Sequence, residues 1–161
     1  MALEASRIDL SALLKENMIE MDLEGRDKAE IINELVGLIA RSGKVKNKKA
    51  LTAALMERER LGSTAIGNGV AVPHAKIDGV KNTVMAFGRS VHGVDFQSLD
   101  GEKTHVFFAL ISSREAVGAH LKILAKVSHL IKDRFMVSLF KKAKNKKEIV
   151  SIISSLEKSS K

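Results

Sequence analysis

The sequence predicts an α/β domain in which helices flank a central mixed sheet of parallel and antiparallel strands. Three observations carry this. Helix-period patterning occupies both ends of the chain. Strand-like and all-apolar runs occupy the middle, and no Pro-, Gly- or Ser-rich linker divides the two. At 161 residues the chain suits a single domain, 1–161. Folding at that size removes roughly 68–70% of the unfolded surface from water, enough for a core without disulfides or metals.

The elements follow in order. Residues 11–16 read as a short helix and 18–23 as a short strand. Asp27 and Glu30 have the spacing of a capping box. They open a helix that runs to about Arg41, with Ile31, Ile32, Leu35, Val36 and Ile39 at helical spacing and Ser42-Gly43 as its stop. A second helix spans about 47–60. Its stripe of Leu51, Ala54, Leu55 and Arg58 places an arginine on an apolar face. Three glycines make 62–69 a loop, and 70–72 is a short strand that stops at Pro73. Strands follow at 84–89 and 105–111, the second an unbroken apolar run and therefore central. Between them, 94–96 suggests an edge strand and Leu99-Asp100-Gly101 a turn. Helical patterning then holds to the end, over 119–131, near 134–141 and near 147–158.

Composition excludes several classes of function. There is no Cys, so disulfides, zinc knuckles, iron–sulfur clusters and thiol chemistry are out. The longest apolar run, 106–111, is too short to span a bilayer. The first residues carry acids and no long apolar segment, so no signal peptide is expected and the expected location is cytoplasmic, without membrane insertion. The net charge of +8 is local: nine lysines in 44–49 and 141–147 carry it, and without them the chain stands at −1. These runs fit solubility and cations at helix C-termini, or a docking patch for an acidic partner or nucleic acid. With no Trp or Tyr, and six Phe not interleaved with the lysines, a base-stacking surface is disfavoured.

Familiar phosphate motifs fail. Gly62 and Gly67 have the glycine spacing of a P-loop, but Asn68 and Gly69 stand where Lys and Ser/Thr are required. Gly67-x-Gly69 lacks the third glycine of a dinucleotide fingerprint, because Val72 occupies that position. What remains is the loop 61–69 running into Val70-Ala-Val-Pro-His74. Gly62 lets backbone N–H groups approach an anion, and Ser63 and Thr64 add hydroxyl donors, so these three are candidate phosphate-binding residues. Pro73 fixes its own φ and sets His74 at a strand end. A neutral imidazole there is either a nucleophile or a plain surface histidine. Arg58, sixteen residues earlier, has a planar fork suited to phosphate oxygens, or pairs with a carboxylate such as Asp95 or Asp100. His120 opens a helix at its positive end, or is a core residue sharing a face with Leu124, Val127 and Ile131. A metal held by His74 and His120 would lack a third ligand, so no metal is expected.

The run from Arg58 to Lys76, RERLGSTAIGNGVAVPHAK, resembles the signature of enzyme IIA domains of the bacterial phosphotransferase system, in the fructose/mannitol class and its nitrogen-regulatory branch. His120-Leu-Lys-Ile-Leu-Ala-Lys-Val-Ser128 resembles that family's second-histidine helix, and the likeness covers about 8–156. The family frequently has Gly where Ala65 stands; a positive φ there would cost Ala up to about 1 kcal/mol. The resemblance implies an enzyme IIA fold of the fructose/mannitol type and a phosphohistidine carrier. By this likeness His74 accepts a phosphoryl group from an HPr-like phosphocarrier. It passes the group to an enzyme IIB cysteine or uses it to regulate partner proteins. Arg58, His120 and loop amides would neutralise the phosphoryl oxygens, with no cofactor. Val70, Val72 and Ile77 are the candidate partner interface. With no IIB cysteine in the sequence, the nitrogen-regulatory branch fits better than a fused permease. A sugar-specific IIA component is the alternative, and a basic nucleic-acid binder a remote one.

Overall fold

The computed structural model describes residues 9–159. The expectation about a signal peptide falls largely on residues 1–8, outside those described. The chain runs α1 (Leu10–Leu13), a 3-10 turn (Glu16–Met18), β1 (Ile19–Glu20), α2 (Lys28–Ala40), α3 (Lys48–Arg60), β2 (Ala65–Gly67), β3 (Val70–Ala71), β4 (His74–Ile77), β5 (Val84–Val94), β6 (Thr104–Ser113), α4 (Val117–Leu130), α5 (Arg134–Lys142) and α6 (Lys146–Ser159).

The sheet order is β1-β5-β6-β3-β2, with β4 also beside β6. The pairs β1/β5, β3/β6 and β4/β6 are parallel, while β5/β6 and β2/β3 are antiparallel, so the sheet is mixed. β6 is central as its apolar run requires. β5 covers one edge, β3 and β4 share the other, and Val106 to Ile111 are at most 1% exposed. Phe87, Phe108 and Phe140 pack as a tilted and edge-on cluster with centroids 5.2–5.8 Å apart, locking α5 to the sheet.

Local chemistry sets the helix boundaries. Asp27 Oδ1 accepts from the Glu30 N–H (2.8 Å) and caps α2, whose Ile31, Ile32, Leu35, Val36, Leu38 and Ile39 are buried. Asn47 caps α3 in the same way (3.0 Å). The buried line of α3 is Leu51, Leu55 and Glu59, at steps of four; Arg58 lies on its flank, not on the apolar stripe. Glu59 Oε1 meets Lys28 Nζ at 3.0 Å and the Thr64 N–H at 3.2 Å, and its other oxygen accepts from the Thr64 hydroxyl. The Lys28 ammonium also sits 4.7 Å above the Phe96 ring. This ion pair, between buried Glu59 and half-buried Lys28, joins α2, α3 and the loop leading to β2. Lys28→Met leaves the Glu59 carboxylate without a counter-charge and should lower the unfolding free energy by about 3–5 kcal/mol. Urea denaturation checks this; an unchanged midpoint would contradict it.

The strands depart from expectation in length. β5 and β6 extend to form one long hairpin in which Val94 pairs with Thr104, with a register shift between Arg89 and Val94. Val94 therefore ends β5 and begins no separate edge strand. Phe96 instead packs edge-on against Phe107 (5.1 Å). The expected turn is present, closed by the Gly101 N–H on the Ser98 carbonyl (3.0 Å). The loop 62–69 is in part a hairpin. Ala65 pairs with Ala71, and Asn68 (φ 58°) and Gly69 (φ 80°) make the turn with positive φ that this dipeptide favours. Ala65 sits in an extended strand, so replacing glycine there brings no strain. Of the lysine runs, Lys141 and Lys142 lie in the last turn of α5, whereas Lys48 and Lys49 open α3 and Lys146 and Lys147 open α6, so helix-end compensation accounts for only two of them. Among the described residues no helix is long and apolar enough to cross a membrane.

Candidate functional site

Pro73 makes the site. Lacking an N–H, it cannot extend the ladder. β3 therefore ends beside Val106 and Phe107, and the chain re-pairs with β6 as β4, with His74 opposite Leu110 and Lys76 opposite Ser112. The Pro73 carbonyl accepts from the Leu110 N–H (2.9 Å) across the break. His74 thus begins a strand; it does not end one. His74 and Lys76 share one face of β4, and Ala75 and Ile77 point to the other.

His74 is half-buried, and its Nδ1 lies 2.8 Å from the Val72 carbonyl. A carbonyl only accepts, so Nδ1 carries the hydrogen and Nε2 carries the lone pair. Burial lowers the His74 pKa. The Val72 bond opposes this, and the nearby charges of Arg58 and Lys76 add to the lowering. The ring is therefore neutral at pH 7, with a free nucleophilic nitrogen.

His120, 2% exposed, sits in the first turn of α4 with its ring centroid 5.6 Å from that of His74 and tilted by 49°. Burial first, then the positive charge of His74 and Lys76, pushes its pKa down to about 4. An imidazole in the unfolded chain titrates near 6.5. Between those values the unfolded chain binds the extra proton. Stability from this site is therefore complete above about pH 6.5 and falls as pH drops towards 4, with His74 adding in the same direction. The unfolding free energy should decline over that window, and His120→Gln should flatten the decline. An identical slope in the variant would contradict the assignment.

Arg58 donates from a terminal guanidinium nitrogen to the Gly62 carbonyl (2.8 Å). It pairs with neither suggested carboxylate. Asp95 accepts from the Gln97 N–H, and Asp100 from the Asn68 and Glu102 N–H groups and the Ser98 hydroxyl. The structure brings His74 and His120 together, with ring centroids 5.6 Å apart, and sets the charges of Arg58 and Lys76 near enough to act on His74. Two expectations are corrected. Ser63 donates its hydroxyl to the Phe96 carbonyl (2.7 Å), Thr64 donates its own to Glu59, and the Gly62 N–H goes to the Glu59 carbonyl (3.1 Å). These donors close the loop and are not available to bind phosphate. Val70, Val72 and Ile77 are 1%, 6% and 5% exposed, so they are core and present no partner face. Exposed apolar groups include Leu61 and Ile66 in the loop region, and Val117 and Leu121 on the same helix as His120.

Residue-level reading missed Glu59, Ser112 and Thr83. Ser112 Oγ lies 2.8 Å from Nδ1 of His120 and 3.2 Å from Thr83 Oγ1. It also missed the Asn68-Gly69 hairpin turn, although that dipeptide is a strong local signal. Among the described residues, no group of three or more His, Cys, Asp or Glu side chains could hold a metal ion.

The fold and this cluster define a class: an α/β domain that sets two neutral imidazoles and a guanidinium where a proline interrupts parallel pairing. Residues 12–156 match the family described as phosphoenolpyruvate-dependent sugar phosphotransferase system, EIIA 2, and the chain belongs to that family. It is 34% identical over 149 residues to the fructose-specific EIIABC component of the phosphotransferase system of Bacillus subtilis, covering 92% of this chain but only 24% of that protein's length. It is 33% identical over 107 residues to the nitrogen regulatory protein of Bradyrhizobium diazoefficiens, covering 66% and 70% of the two chains. The crystal structure of nitrogen regulatory protein IIA-Ntr from Neisseria meningitidis superposes with a TM-score of 0.85 at 28% identity, covering 89% of this chain and 98% of that one. The expected enzyme IIA fold of the fructose/mannitol type stands.

Proposed function

We propose that this chain is a phosphohistidine carrier whose acceptor atom is Nε2 of His74. The observation that carries the reading is the bond from Nδ1–H to the Val72 carbonyl, which commits the lone pair to Nε2. Transfer between nitrogens needs in-line positioning and charge compensation more than covalent assistance. The donor is a phosphohistidine on an HPr-like phosphocarrier. Its N–P bond breaks with the electron pair left on the donor ring as the His74 Nε2 lone pair forms the new bond. The hydrogen stays on His74 Nδ1 throughout, donated to the Val72 carbonyl. Arg58 supplies a fixed positive charge and His120 a hydrogen bond to the phosphoryl oxygens. The group then passes to an enzyme IIB cysteine, or its presence alters the affinity for a regulatory partner. Relatives named as a fructose-specific EIIABC component and as a nitrogen regulatory protein support both destinations. The exposed Val117 and Leu121, on the helix that carries His120, offer an apolar patch for seating a donor.

Incubation with phosphoenolpyruvate, enzyme I and HPr, read by intact mass, tests the carrier. A gain of one phosphoryl group is expected, and no gain with cognate donors would refute it. Onward transfer to a IIB protein separates the transport role from the regulatory one.

A further inference from the structure

β6 is apolar from Val106 to Ile111 and then buries a hydroxyl, Ser112, at 0% exposure. A buried hydroxyl is tolerated when it is bonded. Ser112 bridges Nδ1 of His120 (2.8 Å) and the hydroxyl of Thr83 (3.2 Å), in the segment entering β5. The chain can run in two senses. In one, His120 Nδ1–H donates to Ser112, Ser112 donates to Thr83, and Nε2 is bare. In the other, Thr83 donates to Ser112, Ser112 donates to Nδ1, and Nε2 carries the hydrogen.

The two histidines thus have partners of opposite kind. Nδ1 of His74 faces a carbonyl, which can only accept and so leaves Nε2 as a nucleophile. Nδ1 of His120 faces a hydroxyl, which can donate and so leave Nε2 as a donor. A neutral imidazole has one N–H, and phosphoryl oxygens only accept, so His120 helps only in the second sense. We propose that Ser112, backed by Thr83, is a positioning residue that holds His120 as its Nε2–H tautomer, making it the hydrogen-bond donor to a phosphoryl group on His74. This rests on the carrier reading, but its test does not.

The ring nitrogens of histidine-labelled protein, read by two-bond proton–nitrogen spectra, report the tautomer before any phosphorylation. In the unphosphorylated wild type, His120 should carry its hydrogen on Nε2. In Ser112→Ala the tautomers should mix, and phosphoryl transfer should slow by about tenfold as the donor form becomes a minority. Thr83 is only half-buried, so Thr83→Val tests the second link without emptying the core. It should give a smaller shift in the same direction, and Thr83→Ser should restore the wild-type spectrum and rate. Hydrogen on Nδ1 of wild-type His120, or an unchanged tautomer in both Ser112→Ala and Thr83→Val, would overturn the proposal. Failure of His74 to gain a phosphoryl group would overturn the carrier reading instead, and the mass assay reads that separately.

Discussion

His74→Ala should abolish phosphorylation altogether while leaving the fold in place. The expectation of a complete loss follows from covalent chemistry: in the proposed carrier the new bond is to Nε2, which alanine lacks. His120 is adjacent, but its environment serves a different end. It is 2% exposed, with Nδ1 committed to Ser112, so a protein donor cannot reach it as it reaches half-buried His74. Stability should change little. His74 makes one side-chain bond, to the Val72 carbonyl, and β4 is held to β6 by backbone pairing that an alanine preserves. The check is intact mass after incubation with the donor relay, beside a urea transition. A phosphorylated His74→Ala protein would place the acceptor elsewhere.

Arg58→Ala should slow phosphoryl transfer by about 10²-fold or more, the cost of removing one preorganised group from developing charge. The guanidinium is already oriented by the Gly62 carbonyl, so it need not reorganise as the phosphoryl group arrives. It is also near enough to His74 to help hold the ring neutral. Arg58→Lys should recover only part of the rate, because an ammonium supplies charge without the planar fork. Arg58 sits on the flank of α3, off the buried Leu51–Leu55–Glu59 line, so neither variant should disturb packing. Rapid-quench rates equal to wild type would remove Arg58 from the mechanism.

The parts legible in the sequence were those set by local rules. Asp27 three residues before Glu30 marks a helix start whatever surrounds it, and the 106–111 run can be satisfied only at the centre of a sheet. His74 also stood out as a candidate, because Pro73 and the glycine-rich run constrain it directly, while its proposed role as acceptor came from the resemblance. Tertiary partners decided the rest. By sequence spacing alone, Arg58 and Glu59 could each extend the stripe of α3, but in the structure Glu59 is buried and Arg58 lies on the flank. Which one turns inward depends on Lys28, thirty-one residues away, arriving with the opposite charge. The hydroxyls of Ser63 and Thr64 looked free for phosphate because their acceptors, Phe96 and Glu59, come from another part of the chain and from the preceding helix. Val70, Val72 and Ile77 looked like a face because alternation alone cannot tell that both sides of this sheet are covered. Ser112 was invisible for a related reason. One hydroxyl after an apolar strand reads as a strand end until His120 folds over it.

The most direct measurement is the ring-nitrogen spectrum of the phosphorylated, labelled protein. A one-bond phosphorus–nitrogen coupling should appear at Nε2 of His74, with Nδ1 still protonated on the Val72 carbonyl. Phosphorus on Nδ1 of His74, on His120 or on any other residue would contradict the account.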